Sequence, residues 1–230
     1  MRDNQQHNLR QSDLAFFGAI TASVTHEFKN CLAVINEYSG LLEDLLMGAA
    51  PDDCIDVDRI AKVPVSISRQ VSRADQIVNR LNQFAHSVDQ PMVQFELNEL
   101  IERIVGLVRR LADMQRVDLE VNPPDDQVSV EGNPFLLQHV IYGCIERCLR
   151  HSKQGGSITI TWKREGDGAE VNVTGAMGSS EAGGADNDGL LSLLVTELGA
   201  RVDCSPAEDD RTATVIHLPR SPNEGSLHVG

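Results

Sequence analysis

The sequence predicts an α plus α/β chain: an N-terminal two-helix antiparallel hairpin that forms a dimeric four-helix bundle, then an α/β sandwich. Three observations carry this. Two long stretches repeat apolar residues at steps of three and four, the pattern of a bundle seam. At Gln90-Pro91 the pattern changes to alternating, turn-rich sequence. Aromatic residues make up only 4% of the chain while hydrophobic residues reach 41%, which points to a core packed by Leu, Val and Ile. The 230 residues divide into a helical hairpin at 12–90, an α/β domain at 91–219 and a disordered tail at 220–230.

The first seam runs Leu14, Phe17, Thr21, Val24, Phe28, Cys31, Ile35, Tyr38, Leu42 and Leu45. Residues 1–11 are polar and expected to fray; Ser12 is a possible N-cap, and the helix continues to Met47. At 1.5 Å per residue it is on the order of 50 Å long. Gly48 and Pro51 end it, one by releasing the backbone and the other by blocking continuation. The second seam is Ile60, Ile67, Val71, Ala74, Val78, Leu81, Ala85 and Val88, with Pro64 expected to kink the helix or delay its start. One hairpin cannot cover its own seam, so a homodimer is expected.

Beyond residue 91, Leu97 to Gln115 reads as an amphipathic helix through Leu100, Ile101, Ile104, Leu107 and Leu111. Val117 to Val121 alternates as a strand, and a short strand at Val128 to Val130 precedes Gly132-Asn133-Pro134. There Asn133 caps a helix with Pro134 at its first position, and that helix runs over 135–151. Strands follow at Ser157 to Lys163 and Ala169 to Thr174, joined by Gly166-Asp167-Gly168. A small-residue loop spans Gly175 to Gly189, Leu190 to Leu198 is a helix ended by Gly199, and two strands at 201–204 and 212–218 close the domain.

Composition excludes several functions. A net charge of -14 argues against nucleic acid as a partner. No apolar run approaches the roughly 18 residues that a membrane span needs. The start Met1-Arg2-Asp3-Asn4-Gln5-Gln6 lacks a signal peptide's apolar core. Cys31, Cys54, Cys144, Cys148 and Cys204 are odd in number and scattered, which reads as reduced thiols in a cytoplasmic protein, and no metal-ligating set is expected.

The chemistry concentrates at His26-Glu27-Phe28-Lys29-Asn30. His26 falls at the most solvent-facing position of the first helix, next to an acid and near a cation. A zinc-protease reading fails because the residue four after His26 is Asn30, not histidine. This stretch resembles the H-box of bacterial sensor histidine kinases. Leu97-Asn98-Glu99-Leu100-Ile101, Gly132-Asn133-Pro134 and the Gly155-Gly156 turn look like landmarks of that family's ATP-binding domain, in the same order, and the resemblance covers residues 12–219.

The departures from that pattern carry as much information. Where the family places two asparagines, the second helping to hold Mg²⁺, this chain has Gly143 and Arg147. Arginine has no acceptor lone pair and cannot ligate a hard cation. The family's Asp-x-Gly-x-Gly box, whose aspartate reads adenine, falls on Thr174-Gly175-Ala176-Met177-Gly178. Its second glycine box reduces to Asp188-Gly189, and the ten residues between Gly178 and Gly189 are too few for an ATP lid. The resemblance therefore implies a domain of the ATP-binding type that has lost ATP as a cofactor.

A surviving histidine without an ATP apparatus resembles stand-alone histidine phosphotransferases, which pass a phosphoryl group between receiver-domain aspartates of response regulators. On that reading His26 is the phosphoacceptor, Glu27 sets its tautomer, Lys29 offers positive charge and Asn30 lies one turn away on the same face. Mg²⁺ is expected from the partner receiver. Phe16, Ile20 and Ala22 are expected to dock that receiver, because they are apolar or small and lie outside the seam. The alternatives are a histidine kinase or receiver phosphatase with an atypical nucleotide site, and a non-catalytic dimeric module that binds receivers without transfer.

Overall fold

A computed structural model describes residues 2–47, 57–176, 185–207 and 211–219. Two long helices, α1 (Arg2–Met47) and α2 (Val57–Ser87), form the hairpin. They are followed by β1 (Val93–Glu96), α3 (Leu97–Gln115), β2 (Asp118–Asn122), β3 (Ser129–Gly132) and α4 (Pro134–His151). Next come β4 (Ser157–Glu165), β5 (Gly168–Ala176), α5 (Ala185–Glu197), β6 (Arg201–Pro206) and β7 (Arg211–Leu218). This is a helical hairpin leading into an α/β sandwich, the architecture expected. The 220–230 tail lies outside the described residues.

The helix termini follow their local chemistry. Asn133 caps α4, its side chain accepting a bond from the Leu136 amide at 3.0 Å, and Pro134 occupies the first turn where its missing N–H costs nothing. α3 ends at Arg116 in the left-handed conformation (φ 56°), and its amide bonds back to Asp113 at 3.0 Å. α2 begins at Val57, before Pro64, so the proline does not delay the helix. α1 begins at Arg2 rather than at Ser12; Leu9 packs against the core and gives the first turns a tertiary contact. α5 likewise begins at Ala185, ahead of the expected Leu190.

The main sheet has the order β2-β4-β5-β7-β6, with β2 and β4 parallel and the other pairs antiparallel. β1 and β3 form a separate antiparallel pair; β1 was not anticipated, since four residues after a proline leave too short a pattern to read. α3, α4 and α5 pack on one face of the main sheet. Alternation sends Ile158, Ile160, Trp162, Val171, Val173 and Ile216 inward beneath them. The Trp162 indole N–H donates to Asn98 Oδ1 of α3 at 2.7 Å, fixing helix to sheet through a satisfied polar contact.

The hairpin and the α/β part share a single hydrophobic core. On α1 the deepest residues are Phe16 and Ile20, 2% and 0% exposed, with Val24 and Cys31. Of the predicted seam, Val24 and Cys31 are buried while Leu14 is 75% exposed. The buried face is rotated because α1 packs on α3 and α5 as well as on α2, whereas a heptad reading assumes one partner direction. α2 shows the same shift: Val63, Ala74, Ile77 and Phe84 are buried, while Val71 and Val78 stay exposed. Among the described residues no helix is long and apolar enough to cross a membrane.

Candidate functional site

His26 stands exposed on α1, as its helical position predicts. Together with Phe17, Gly18, Thr21, Ala22, Thr25 and Lys29 it lines a shallow, open recess along one face of α1. Residues four apart on a helix are neighbours, and Asn30 Nδ2 reaches His26 Nδ1 at 3.3 Å. In that orientation the amide donates to Nδ1 and the ring proton sits on Nε2. Turned end for end, the amide presents Oδ1 to an Nδ1–H and leaves Nε2 with its lone pair. Asn30 can thus hold either tautomer, the role expected of Glu27.

Glu27 points elsewhere. Successive helical residues diverge by about 100°, and its carboxylate lies 3.7 Å from Arg73 of α2 with the side chain 16% exposed. Burial pushes its pKa up from the ordinary carboxylate value, Arg73 opposes that shift, and Asp113 adds to it. Lys29 is exposed on the same recess as His26. The recess therefore gathers an imidazole, an ammonium and small side chains, while Glu27 ties α1 to α2.

The expected docking residues separate. Ala22 is exposed and lines the recess. Phe16 and Ile20 are not available on that surface, because both are buried in the shared core. Phe16 meets Phe84 edge-on at 5.3 Å and stacks on His139 of α4 at 4.4 Å and 9°. The His139 ring is held in turn by Asp13 (Nδ1 to Oδ1 3.0 Å) and Ser12 (Nε2 to Oγ 3.2 Å). The sequence showed that these α1 residues lie off the heptad seam; it did not show that α4 fills that side.

The positions where the sequence departs from the pattern it resembles can be placed, Gly178 apart. Gly143 of α4 faces α5, where a Cβ would lie 3.3 Å from Leu191 Cδ1. Arg147 follows one turn later, half-buried. Along β5, strand alternation turns Gly175, not Thr174, toward α4: a Cβ on Gly175 would meet Cys148 Sγ at 2.9 Å, while the Thr174 carbonyl accepts from Arg211 at 2.9 Å. Gly189 is exposed within α5 with open space around it; Gly178 lies outside the described residues.

Comparison with known proteins matches this architecture. The chain is 20% identical over 206 residues to sporulation kinase A of Bacillus subtilis, covering 85% of this chain and 32% of that protein. It is 25% identical over 154 residues to the sensor protein kinase PilS of Pseudomonas aeruginosa, covering 66% and 27%. It spans about a third or less of the length of these curated relatives. No protein-family model matches. The structure of histidine kinase ThkA in complex with response regulator protein TrrA superposes with a TM-score of 0.51 at 15% identity, over 97% of this chain and 67% of that one. The chain is thus similar in sequence to part of each of these two kinases, and its helical hairpin and α/β sandwich have the fold of histidine kinase ThkA.

Proposed function

We propose that this protein is a histidine phosphotransfer element of a two-component relay, exchanging a phosphoryl group between His26 and the aspartate of a response-regulator receiver in the cytoplasm. The observation that carries the reading is an exposed His26 with Asn30 on one nitrogen and Lys29 on the same recess. In the forward step an imidazole nitrogen attacks phosphorus. An N–P bond forms, the acyl O–P bond breaks, and the receiver aspartate leaves as a carboxylate. Phosphoryl transfer of this kind asks mainly for positioning and charge stabilisation. Asn30 Oδ1 accepting from Nδ1–H leaves the Nε2 lone pair for attack, and Lys29 offsets charge on the phosphoryl oxygens. The receiver supplies Mg²⁺. Docking on the recess involves Ala22 and the exposed flank of α1; response-regulator binding is known by name for ThkA.

A second reading is an ATP-dependent histidine kinase with an atypical nucleotide site, and the comparisons favour it, since sporulation kinase A and PilS are kinases by name. The residues present fit Mg²⁺-ATP poorly. Arg147 offers no lone pair to a cation, Thr174 offers no carboxylate to adenine, and Leu191 crowds the Gly143 position. The two readings separate in one experiment. A receiver phosphorylated by a small phosphodonor is expected to label the wild-type chain and leave His26→Ala unlabelled, with no ATP or ADP binding by calorimetry. Micromolar nucleotide binding with self-labelling would establish the kinase instead. Receiver binding unchanged by His26→Ala, with no transfer, would leave only a docking module.

A further inference from the structure

The face of the main sheet turned away from the helices carries a cluster that the phosphotransfer reading does not use. Register aligns one row across four strands: Lys163 of β4 faces Glu170 of β5, Glu170 faces His217 of β7, and His217 faces Arg201 of β6. Glu165 and Asp203 lie two residues along from Lys163 and Arg201, on the same face. His217 Nδ1 is 2.9 Å from Glu165 Oε2, and its Nε2 is 3.2 Å from Asp203 Oδ2.

A neutral imidazole has one N–H and cannot donate to both carboxylates. Two arrangements satisfy both nitrogens: an imidazolium donating to each carboxylate, or a metal ion at Nδ1 with Nε2–H donating to Asp203, whose Oδ2 also pairs with Arg201 at 2.8 Å. A carboxylate on the far nitrogen is the usual outer partner of a metal-bound histidine. One ligand atom each from Glu165, Glu170 and His217 lie within 4.8 Å of one another. Two donors on one zinc ion sit up to roughly 4 Å apart, close to the spacing of this set, and the Glu165 side chain, 52% exposed, can adjust as an ion enters. Glu170 is the fixed member, 12% exposed. Asn172 Nδ2 at 2.7 Å and Lys163 Nζ at 3.2 Å both approach its Oε1, which leaves Oε2 for an ion. Lys163 is 61% exposed and can swing into water as a cation enters.

We propose that His217, Glu165 and Glu170 form a divalent transition-metal site of the zinc class, with Asp203 orienting the imidazole. The ion would staple β4, β5 and β7 on the open side of the sheet, with water completing its shell.

The test uses the full chain stripped with EDTA. Co²⁺ serves as the spectroscopic probe and Zn²⁺ as the calorimetric one. The expected result is one ion per chain, visible d–d bands without a thiolate charge-transfer band, and binding weakened at least about tenfold in His217→Gln and in Glu170→Gln. Asp203→Asn is expected to weaken it by about ten- to a hundredfold, the usual effect of losing an outer partner. If Glu170→Gln fails to fold by circular dichroism, the exposed Glu165→Gln replaces it. Absence of saturable binding means an ion-pair network only and overturns the proposal. So does affinity unchanged in His217→Gln, or a thiolate band that places the ion on Cys204.

Discussion

At the residue scale the account turns on the different directions of two adjacent side chains. His26 faces the recess and Asn30, while Glu27 faces Arg73. Asn30→Ala is expected to slow phosphoryl transfer about tenfold, the loss of roughly 1.4 kcal/mol of tautomer control, with receiver affinity unchanged; single-turnover transfer kinetics check this. Glu27 makes a separate prediction. Its raised pKa means that folding favours the protonated carboxyl, so ionisation costs stability. That cost is absent at low pH, grows as pH rises through the unfolded-state pKa, and is complete above the folded one. Glu27→Gln is expected to flatten the pH dependence of the thermal midpoint across that window; an unchanged slope would contradict the shift. His26 was legible in the sequence because exposure follows from helical position. The Glu27 role was not, since its Arg73 partner depends on how α2 lies against α1.

At the element scale the shared core joins hairpin and sheet. Phe16, 2% exposed and stacked on His139, is expected to cost about 3–5 kcal/mol when cut to alanine, measured by urea unfolding. Ile20→Asp is expected to unfold the protein rather than merely weaken receiver docking, because Ile20 is 0% exposed. Gly175→Ala drives a methyl toward Cys148 Sγ at 2.9 Å and is expected to cost about 1–3 kcal/mol, relieved only in part in the double variant with Cys148→Ala, whose Cβ stays at 3.0 Å. Helix and strand identities were legible from periodicity and caps, as α3 and the Asn133 cap of α4 show. The buried face of α1 was not, because periodicity ranks faces without naming the elements that cover them. The Glu165, Glu170 and His217 cluster was invisible for a related reason: it exists only once β7, some fifty residues on, is laid beside the β4–β5 hairpin.

At the scale of the whole molecule, the hairpin leaves Val71 and Val78 of α2, and Leu14 of α1, exposed at 53%, 46% and 75%. Apolar positions left outside the core of one chain are suited to a second copy, the homodimer that the sequence leads one to expect. Val71→Glu with Val78→Glu is expected to yield a folded monomer by light scattering; a dimer that persists would place the interface elsewhere. The central claim concerns where the phosphate on His26 comes from. The most direct measurement is mass-spectrometric mapping of phosphohistidine after two parallel incubations, one with a phosphorylated receiver and no nucleotide, the other with Mg²⁺-ATP alone. The account predicts modification of His26 in the first and none in the second. Phosphate on His26 from Mg²⁺-ATP alone would contradict it.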